Sequence, residues 1–213
     1  VDQGLFITFE GGEGAGKTTL IDEVSRALAS RGLEVLKTRE PGGTKLGEHI
    51  RNLVLQHSGD YQLSPLTELA LFLTSRAQQV EEVILPSLKE GKVVLCDRYN
   101  DSTFAYQGIA RGLGLERIRE FCSFICQGVE PHLTLYLDLD PAIGLKRARS
   151  HEGSEYDRIE SEKISFHQTV RNAFHQLADE EPHRLFILNA ENPPKTVFKD
   201  AMERIEPLLE TVG

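Results

Sequence analysis

The stretch Gly11-Gly12-Glu13-Gly14-Ala15-Gly16-Lys17-Thr18 constrains this chain more than any other. It fits G-x-x-x-x-G-K-[ST], a loop that cradles phosphates between a strand and a helix. The flanks agree. Leu5-Phe6-Ile7-Thr8-Phe9-Glu10 is a mostly apolar run that reads as a buried strand. Beyond the loop, Leu20, Ile21, Val24, Ala27 and Leu28 recur on one face of a helix. Each residue type has a chemical reason. Glycines let the backbone curl until successive N–H groups point at phosphate oxygens. The helix presents its positive end to the same anion. Lys17 reaches the β- and γ-phosphates as a point charge, and the Thr18 hydroxyl suits Mg2+. Gly11, Gly12, Glu13, Gly14, Ala15, Gly16, Lys17, Thr18 and Thr19 are therefore the expected triphosphate-binding residues. The motif implies a nucleoside triphosphate, not what is done with it.

Strand and helix signals alternate through the rest of the chain. Further strands are expected at Leu33–Thr38, Lys92–Cys96, Leu133–Asp138 and Leu185–Asn189. Helices are expected at Lys45–Gln56, Pro65–Leu88, Glu116–Gly128, from Pro141 onward, from Asp157 to about Ala178, and at Pro193–Leu209. That alternation predicts a three-layer α/β fold with a five-stranded parallel sheet between helices. No repeat or linker divides the 213 residues, so a single domain is expected.

Several chemistry-bearing residues fall at strand ends, where ligands of parallel α/β sheets sit. Arg39-Glu40-Pro41-Gly42-Gly43 is a loop after the second strand. Asp97-Arg98-Tyr99 ends the third, and an apolar strand ending in Asp is where a P-loop enzyme keeps the second carboxylate of its Mg2+ site. Phe72 and Arg76 lie four apart on one helix face. Phe72 alone reads as core, whereas Arg76 on an apolar stripe needs a partner. Asn100–Gly108 is polar with aromatics and reads as a helix lining a pocket. Lys146, Arg147 and Arg149 precede the polar, glycine-containing segment 150–156, so a mobile lid is expected at about 147–158.

Net charge is −9 with no run of five like charges, which argues against nucleic acid as a partner. Of three cysteines, Cys96 falls in a strand, and Cys122 and Cys126 share a helix face. They read as buried thiols in a reducing cytoplasm rather than metal ligands. No signal peptide is visible before the first strand, and no apolar run approaches the roughly 20 residues a membrane helix needs.

Taken together these residues resemble the thymidylate kinases, P-loop enzymes that phosphorylate dTMP with ATP. The likeness runs nearly end to end and is nearest the bacterial form. It rests on Phe9-Glu10-Gly11, Thr38-Arg39-Glu40-Pro41-Gly42-Gly43, Phe72 with Arg76, Asp97-Arg98-Tyr99, Ser102-Thr103 with Tyr106-Gln107-Gly108, Gly144–Arg149, and Asp157-Arg158-Ile159-Glu160. The resemblance implies roles. Glu13 approaches the deoxyribose. Thymine stacks on Phe72 and is hydrogen-bonded by Arg76. Arg39 and Arg98 clamp the dTMP phosphate, and Thr103, Tyr106, Gln107 and Glu160 belong to the acceptor side. Asp97 joins Thr18 at Mg2+. Arg147, Arg149 and Arg158 lie in the lid region over ATP, with Arg149 the first choice for the catalytic arginine and Arg158 and Arg147 behind it. A homodimer is also implied. Two positions depart from the family pattern: His151 stands where a further arginine is common, and Asn189 where aspartate is usual.

The reaction so implied moves the γ-phosphoryl of Mg·ATP to dTMP, with Lys17, Arg98 and the lid arginines supplying positive charge. The competing readings are a kinase for another nucleotide or a nucleoside, and, further off, a nucleotide-dependent switch protein. A nucleoside kinase needs no phosphate clamp such as Arg39 with Arg98. A GTPase switch wants N-K-x-D, which this sequence lacks.

Overall fold

A computed structural model describes residues 4–56, 62–149 and 157–210. Its five strands are β1 (Leu5–Gly11), β2 (Val35–Arg39), β3 (Val93–Asp97), β4 (Leu133–Asp138) and β5 (Leu185–Asn189). All pair in parallel, in the order β2-β3-β1-β4-β5. β1 is central and buried along its whole length, which is why it reads as a continuous apolar run. Register then brings the functional loops together. Phe9 and Arg39 both lie opposite Asp97, and Gly11 opposite Leu137. The P-loop, the Arg39 loop and the Asp97-Arg98 turn thus leave the same carboxyl edge.

Helices cover both faces. α1 (Lys17–Ser30) and α9 (Pro194–Leu209) pack on one, where Leu20, Val24 and Leu28 meet the sheet beside Ala201 and Ile205. The other holds α2 (Lys45–Leu55), α3 (Pro65–Gln79), α4 (Leu85–Lys89), α5 (Asn100–Thr103), α6 (Leu115–Ile125) and α8 (Ile164–Glu180). There Tyr136 of the sheet stacks on Phe174 of α8, ring centroids 4.3 Å apart. α7 (Pro141–Arg149) follows β4.

Several expectations shift: β3 lies one residue later than expected, α6 ends at Ile125, and the helix expected over Asn100–Gly108 continues beyond α5 as a π-helical stretch, Phe104–Ala110. β2 begins at Val35 rather than Leu33. The expected helix over 65–88 carries a π-helical turn, Val80–Ile84, between α3 and α4. Pro86 lies just beyond it and has no N–H to offer, and a widened turn accommodates its ring. The helix expected from Asp157 starts only at Ile164. Residues 157–162 form turns instead, with Asp157 Oδ1 accepting the Ile159 and Glu160 backbone N–H groups, both at 2.8 Å.

The pocket helix α5 is tied to the sheet by a buried polar group. Asp101 accepts two bonds from Arg184, at 2.7 and 2.8 Å, and one from Thr134 at 3.0 Å. Thr8 and Thr134 meet beneath it at 2.7 Å. The cysteines Cys96, Cys122 and Cys126 are buried and free. Among the described residues no helix is long and apolar enough to cross a membrane.

One close approach locks the P-loop to α7. A Cβ on Gly144 would lie 2.3 Å from the Glu13 carbonyl, and one on Gly14 would lie 2.2 Å from the Gly144 carbonyl. Two backbones touch where neither can carry a side chain. Gly144→Ala is expected to cost roughly 1–3 kcal/mol through overpacking, lowering Tm by about 2 °C or more. Gly12→Ala, whose Cβ meets nothing within 4 Å, is the control and should shift Tm less. Thermal unfolding of both variants checks this, and equal Tm values would contradict it.

Candidate active site

A cavity of about 950 Å3 opens above the carboxyl edge of the sheet. Of the sequence-predicted residues, Glu13, Gly14, Ala15, Gly16, Lys17, Thr18 and Thr19 line it from the P-loop. Arg39, Phe72, Arg76, Asp97, Arg98, Thr103, Tyr106, Gln107, Arg147 and Glu160 line it from other elements. Residues from seven segments therefore converge. Gly11 is buried at the end of β1, and Gly12 borders a smaller recess behind the loop. The Arg149 side chain and residues 150–156 of the expected lid lie outside the described residues.

At the P-loop, Gly16 has φ 94° and leads into α1. Lys17 is 8% exposed, and its Nζ donates to the Gly11 carbonyl at 3.0 Å and the Gly12 carbonyl at 3.2 Å. The ammonium therefore lies across the loop.

Arg98 joins the two halves of the cavity. Its φ is 71°, a left-handed conformation costing a non-glycine residue roughly 1–3 kcal/mol and kept only where surroundings enforce it. The enforcement comes from Glu10. Oε1 of Glu10 accepts the Tyr99 N–H at 2.8 Å and the Ser102 N–H at 3.2 Å, and Oε2 accepts the Ser102 hydroxyl at 2.6 Å. The Arg98 N–H reaches the Phe9 carbonyl at 2.9 Å. So held, Arg98 extends Nη2 to Glu13 Oε1 at 2.6 Å and Nη1 to Ser102 Oγ at 3.2 Å, over the Tyr106 ring. Burial works against the Glu13 charge, but Arg98 and Lys17 hold its carboxyl below the usual range.

Arg76 is 2% exposed and satisfied on several sides. Nε donates to Glu40 Oε2 at 2.6 Å. Nη1 donates to Asn100 Oδ1 at 3.0 Å and Thr103 Oγ1 at 2.9 Å, and Nη2 to the Tyr99 carbonyl at 3.1 Å. Burial pushes Glu40 up to about 7 against the pull of Arg76. Phe72 stands one turn before Arg76 and faces the cavity rather than serving as buried core. Arg39 is half exposed and paired with Glu48 at 3.0 Å.

Arg158 is the predicted site residue that points elsewhere. It does not line the cavity, although Asp157, Ile159 and Glu160 do. Its guanidinium goes to Glu68 Oε2 and, through Nε, to the Val54 carbonyl at 3.0 Å. In this arrangement it is not offered to a phosphoryl group. Arg147, by contrast, lines the cavity and donates to the Ala190 carbonyl at 3.4 Å.

Sequence reasoning passed over Glu10, Glu40, Glu68 and Ser102. Glu10, Glu40 and Ser102 stood inside quoted motifs, but a buried carboxylate looks like any strand-end residue until its donors are known. Glu68 carried a weak signal: it shares a helix face with Phe72 and Arg76 at four- and eight-residue spacing.

For a divalent cation the donor set fits. The Asp97 Oδ1 atom is buried without a hydrogen-bond partner, and Asp97 and Thr18 line the same cavity. Hard oxygen donors of this kind suit Mg2+.

The parallel sheet, the P-loop and the part-buried Arg98 across one cavity mark a P-loop phosphotransferase. The family model for thymidylate kinase matches residues 9–201. A thymidylate kinase of Protochlamydia amoebophila is 49% identical over 209 residues, covering 96% of this chain and 93% of that one. One of Shouchella clausii is 44% identical, with 97% of each chain covered. The crystal structure of thymidylate kinase from Ehrlichia chaffeensis superposes with TM-score 0.76 at 31% identity, covering 95% of this chain and 98% of that one. This chain belongs to the thymidylate kinase family.

The Glu10 carboxylate yields a pH prediction. Burial raises its pKa from 4.5 to about 7, while Arg98 and the Ser102 and Tyr99 donors pull the other way. A carboxyl whose folded pKa is raised binds more protons folded than unfolded. Its stabilising contribution is full below about pH 4.5 and lost as pH rises through about 7. Glu10→Gln removes that titration while keeping an acceptor. The Tm of Glu10→Gln relative to wild type should therefore climb between pH 5 and 8. A pH-independent difference would contradict the raised pKa.

Proposed function

We propose that dTMP occupies the half of the cavity walled by Phe72, Tyr106 and Gln107, and that ATP lies along the P-loop residues Gly11–Thr19. As a member of its family the protein is a phosphotransferase that converts dTMP to dTDP. The observation that carries the arrangement is Arg98. It stands beside the P-loop carboxylate Glu13 and over the Tyr106 ring, where donor and acceptor halves meet. There a guanidinium, with Arg39 nearby, clamps the acceptor phosphate. Glu13 and Thr103 face the sugar, Phe72 stacks on thymine, and Arg76, held in its network, directs its edge toward the base. Asp157 and Glu160 close the acceptor side.

The acceptor is already an anion, so no strong base is needed. A dTMP phosphate oxygen bonds to the γ-phosphorus as the bond to the β–γ bridging oxygen breaks, and ADP leaves with that electron pair. The barrier lies in bringing two polyanions together, so fixed positive charge does most of the work. Lys17 moves from the Gly11 and Gly12 carbonyls onto the triphosphate, and Arg98 holds the acceptor. Arg147 and Arg149, in the expected lid, supply cations to the transferring group. Thr18 and Asp97 would hold Mg2+, which would supply charge neutralisation for the triphosphate.

A homodimer is supported by the outer surface. Leu66 of α3 is 66% exposed and Phe124 of α6 is 81% exposed, with Phe121 beside it and Leu46 and Leu53 on α2. α3 packs against both α2 and α6, so a twin interface along them would bury these apolar side chains. The three free thiols support a reducing compartment such as the cytoplasm. One kinase domain with a lid at about 147–158 completes the reading.

The test is a coupled assay with ATP across dTMP, dUMP, dCMP, AMP, GMP and thymidine. The highest kcat/KM is expected for dTMP and no turnover for thymidine. Preference for another acceptor would contradict the assignment. Lys17→Ala should abolish transfer without unfolding the protein. Arg149→Ala should lower kcat by on the order of 100-fold with dTMP binding little changed, because that contact matures in the transition state. An unchanged kcat would move the role to Arg147.

A further inference from the structure

Glu68 on α3 is 1% exposed and accepts from three side chains. Oε1 takes Gln107 Nε2 at 2.8 Å and Arg111 Nε at 3.2 Å. Oε2 takes Arg111 Nη2 at 3.2 Å and Arg158 Nη2. Arg111 also pairs with Glu162 at 2.6 Å, so the two guanidiniums and two carboxylates balance. A buried carboxylate with this many charged donors is strongly directional.

Arg158 carries the other end of the contact. Its backbone N–H donates to the Leu55 carbonyl at 2.8 Å and its Nε to the Val54 carbonyl at 3.0 Å. Both carbonyls belong to the last turn of α2, where no intrahelical donor remains. A guanidinium there also meets the negative end of the helix dipole. The turn it belongs to is closed by Asp157 Oδ1 on two backbone N–H groups. As a result Asp157, Ile159 and Glu160 face the cavity while Arg158 faces away from it.

We propose that Arg158 is a positioning residue: with Glu68 it clasps the turn 157–160 onto α2 and α3 as a wall of the acceptor pocket. The same carboxylate fixes Gln107, so one buried group sets two walls at once. The clasp governs how tightly the acceptor is held, not how fast the phosphoryl group moves. This rests on the reading that Phe72 and Gln107 mark the dTMP side.

Steady-state kinetics on Arg158→Ala, Arg158→Lys, Glu68→Gln and the Arg158→Ala/Glu68→Gln double variant test it. Arg158→Ala should raise KM for dTMP about tenfold, with kcat and KM for ATP within about threefold of wild type. Arg158→Lys, which keeps the charge but not the fork, should fall between the two. The double variant should be little worse than the poorer single one, because both remove the same contact. A kcat loss near 100-fold with unchanged dTMP KM would overturn the proposal and make Arg158 a group acting on the transferred phosphoryl. Multiplying single effects in the double variant would overturn the pairing. Hydrogen exchange at Ile159 and Glu160 supplies a readout independent of substrate. It should accelerate in Arg158→Ala, and unchanged exchange would remove the clasp even if dTMP proved not to be the acceptor.

Discussion

Buried carboxylates fix two arginines of this cavity, Arg76 and Arg98, and two behind its wall, Arg111 and Arg158. A guanidinium does not shed its proton, so each one taken out of water must be paired, and its partner decides where it points. Glu10 fixes the turn that carries Arg98, Glu40 aims Arg76, and Glu68 gathers Arg111 and Arg158. None of the three lies in a flexible position. Glu10 ends the central strand, Glu40 follows β2, and Glu68 sits inside α3. The positive charge of the site is thus built on the rigid parts of the fold, where it can be held ready for phosphate rather than reorganised around it. A chain of net charge −9 keeps positive charge in its site by this means.

The same logic explains the contact between P-loop and α7. Phosphate-binding N–H groups work only if the loop keeps its curl, and Gly14 and Gly144 let α7 press directly on the loop backbone. Whatever α7 carries toward the triphosphate is referenced to the loop that binds it. Gly14 also has no space for a side chain, so on the proposed reading an arginine that joins Lys17 at the transferring phosphoryl comes from another segment.

Much of this was legible locally. The P-loop announces itself because its chemistry dictates both residue types and spacing. The five strands follow from apolar runs, and their common edge follows from parallel pairing. What escaped depends on partners far away in sequence. Arg76 and Glu40 are 36 residues apart, and Arg158 and Glu68 are 90 apart. Arg158 sits in a motif beside cavity-lining neighbours, and the Glu68 carboxylate with the carbonyls at the end of α2 turns it away from them. The helix expected from Asp157 likewise gives way to a turn, whose Arg158 N–H reaches the Leu55 carbonyl on α2, far away in sequence. Glu10 reads as a strand residue until the donors of Tyr99 and Ser102, contributed after another strand, come to meet it.

On the proposed reading Arg98, carried on the turn that Glu10 fixes, and Arg39 receive an acceptor that is already phosphorylated. Calorimetric titration of the wild-type protein with dTMP and with thymidine tests it most directly, because the two ligands differ only in that phosphate. Charge-assisted hydrogen bonds are worth about 1.5–3 kcal/mol each, so two arginines imply at least roughly 100-fold discrimination. Thymidine is therefore predicted to bind at least about 100-fold more weakly than dTMP. Equal affinities would contradict the account.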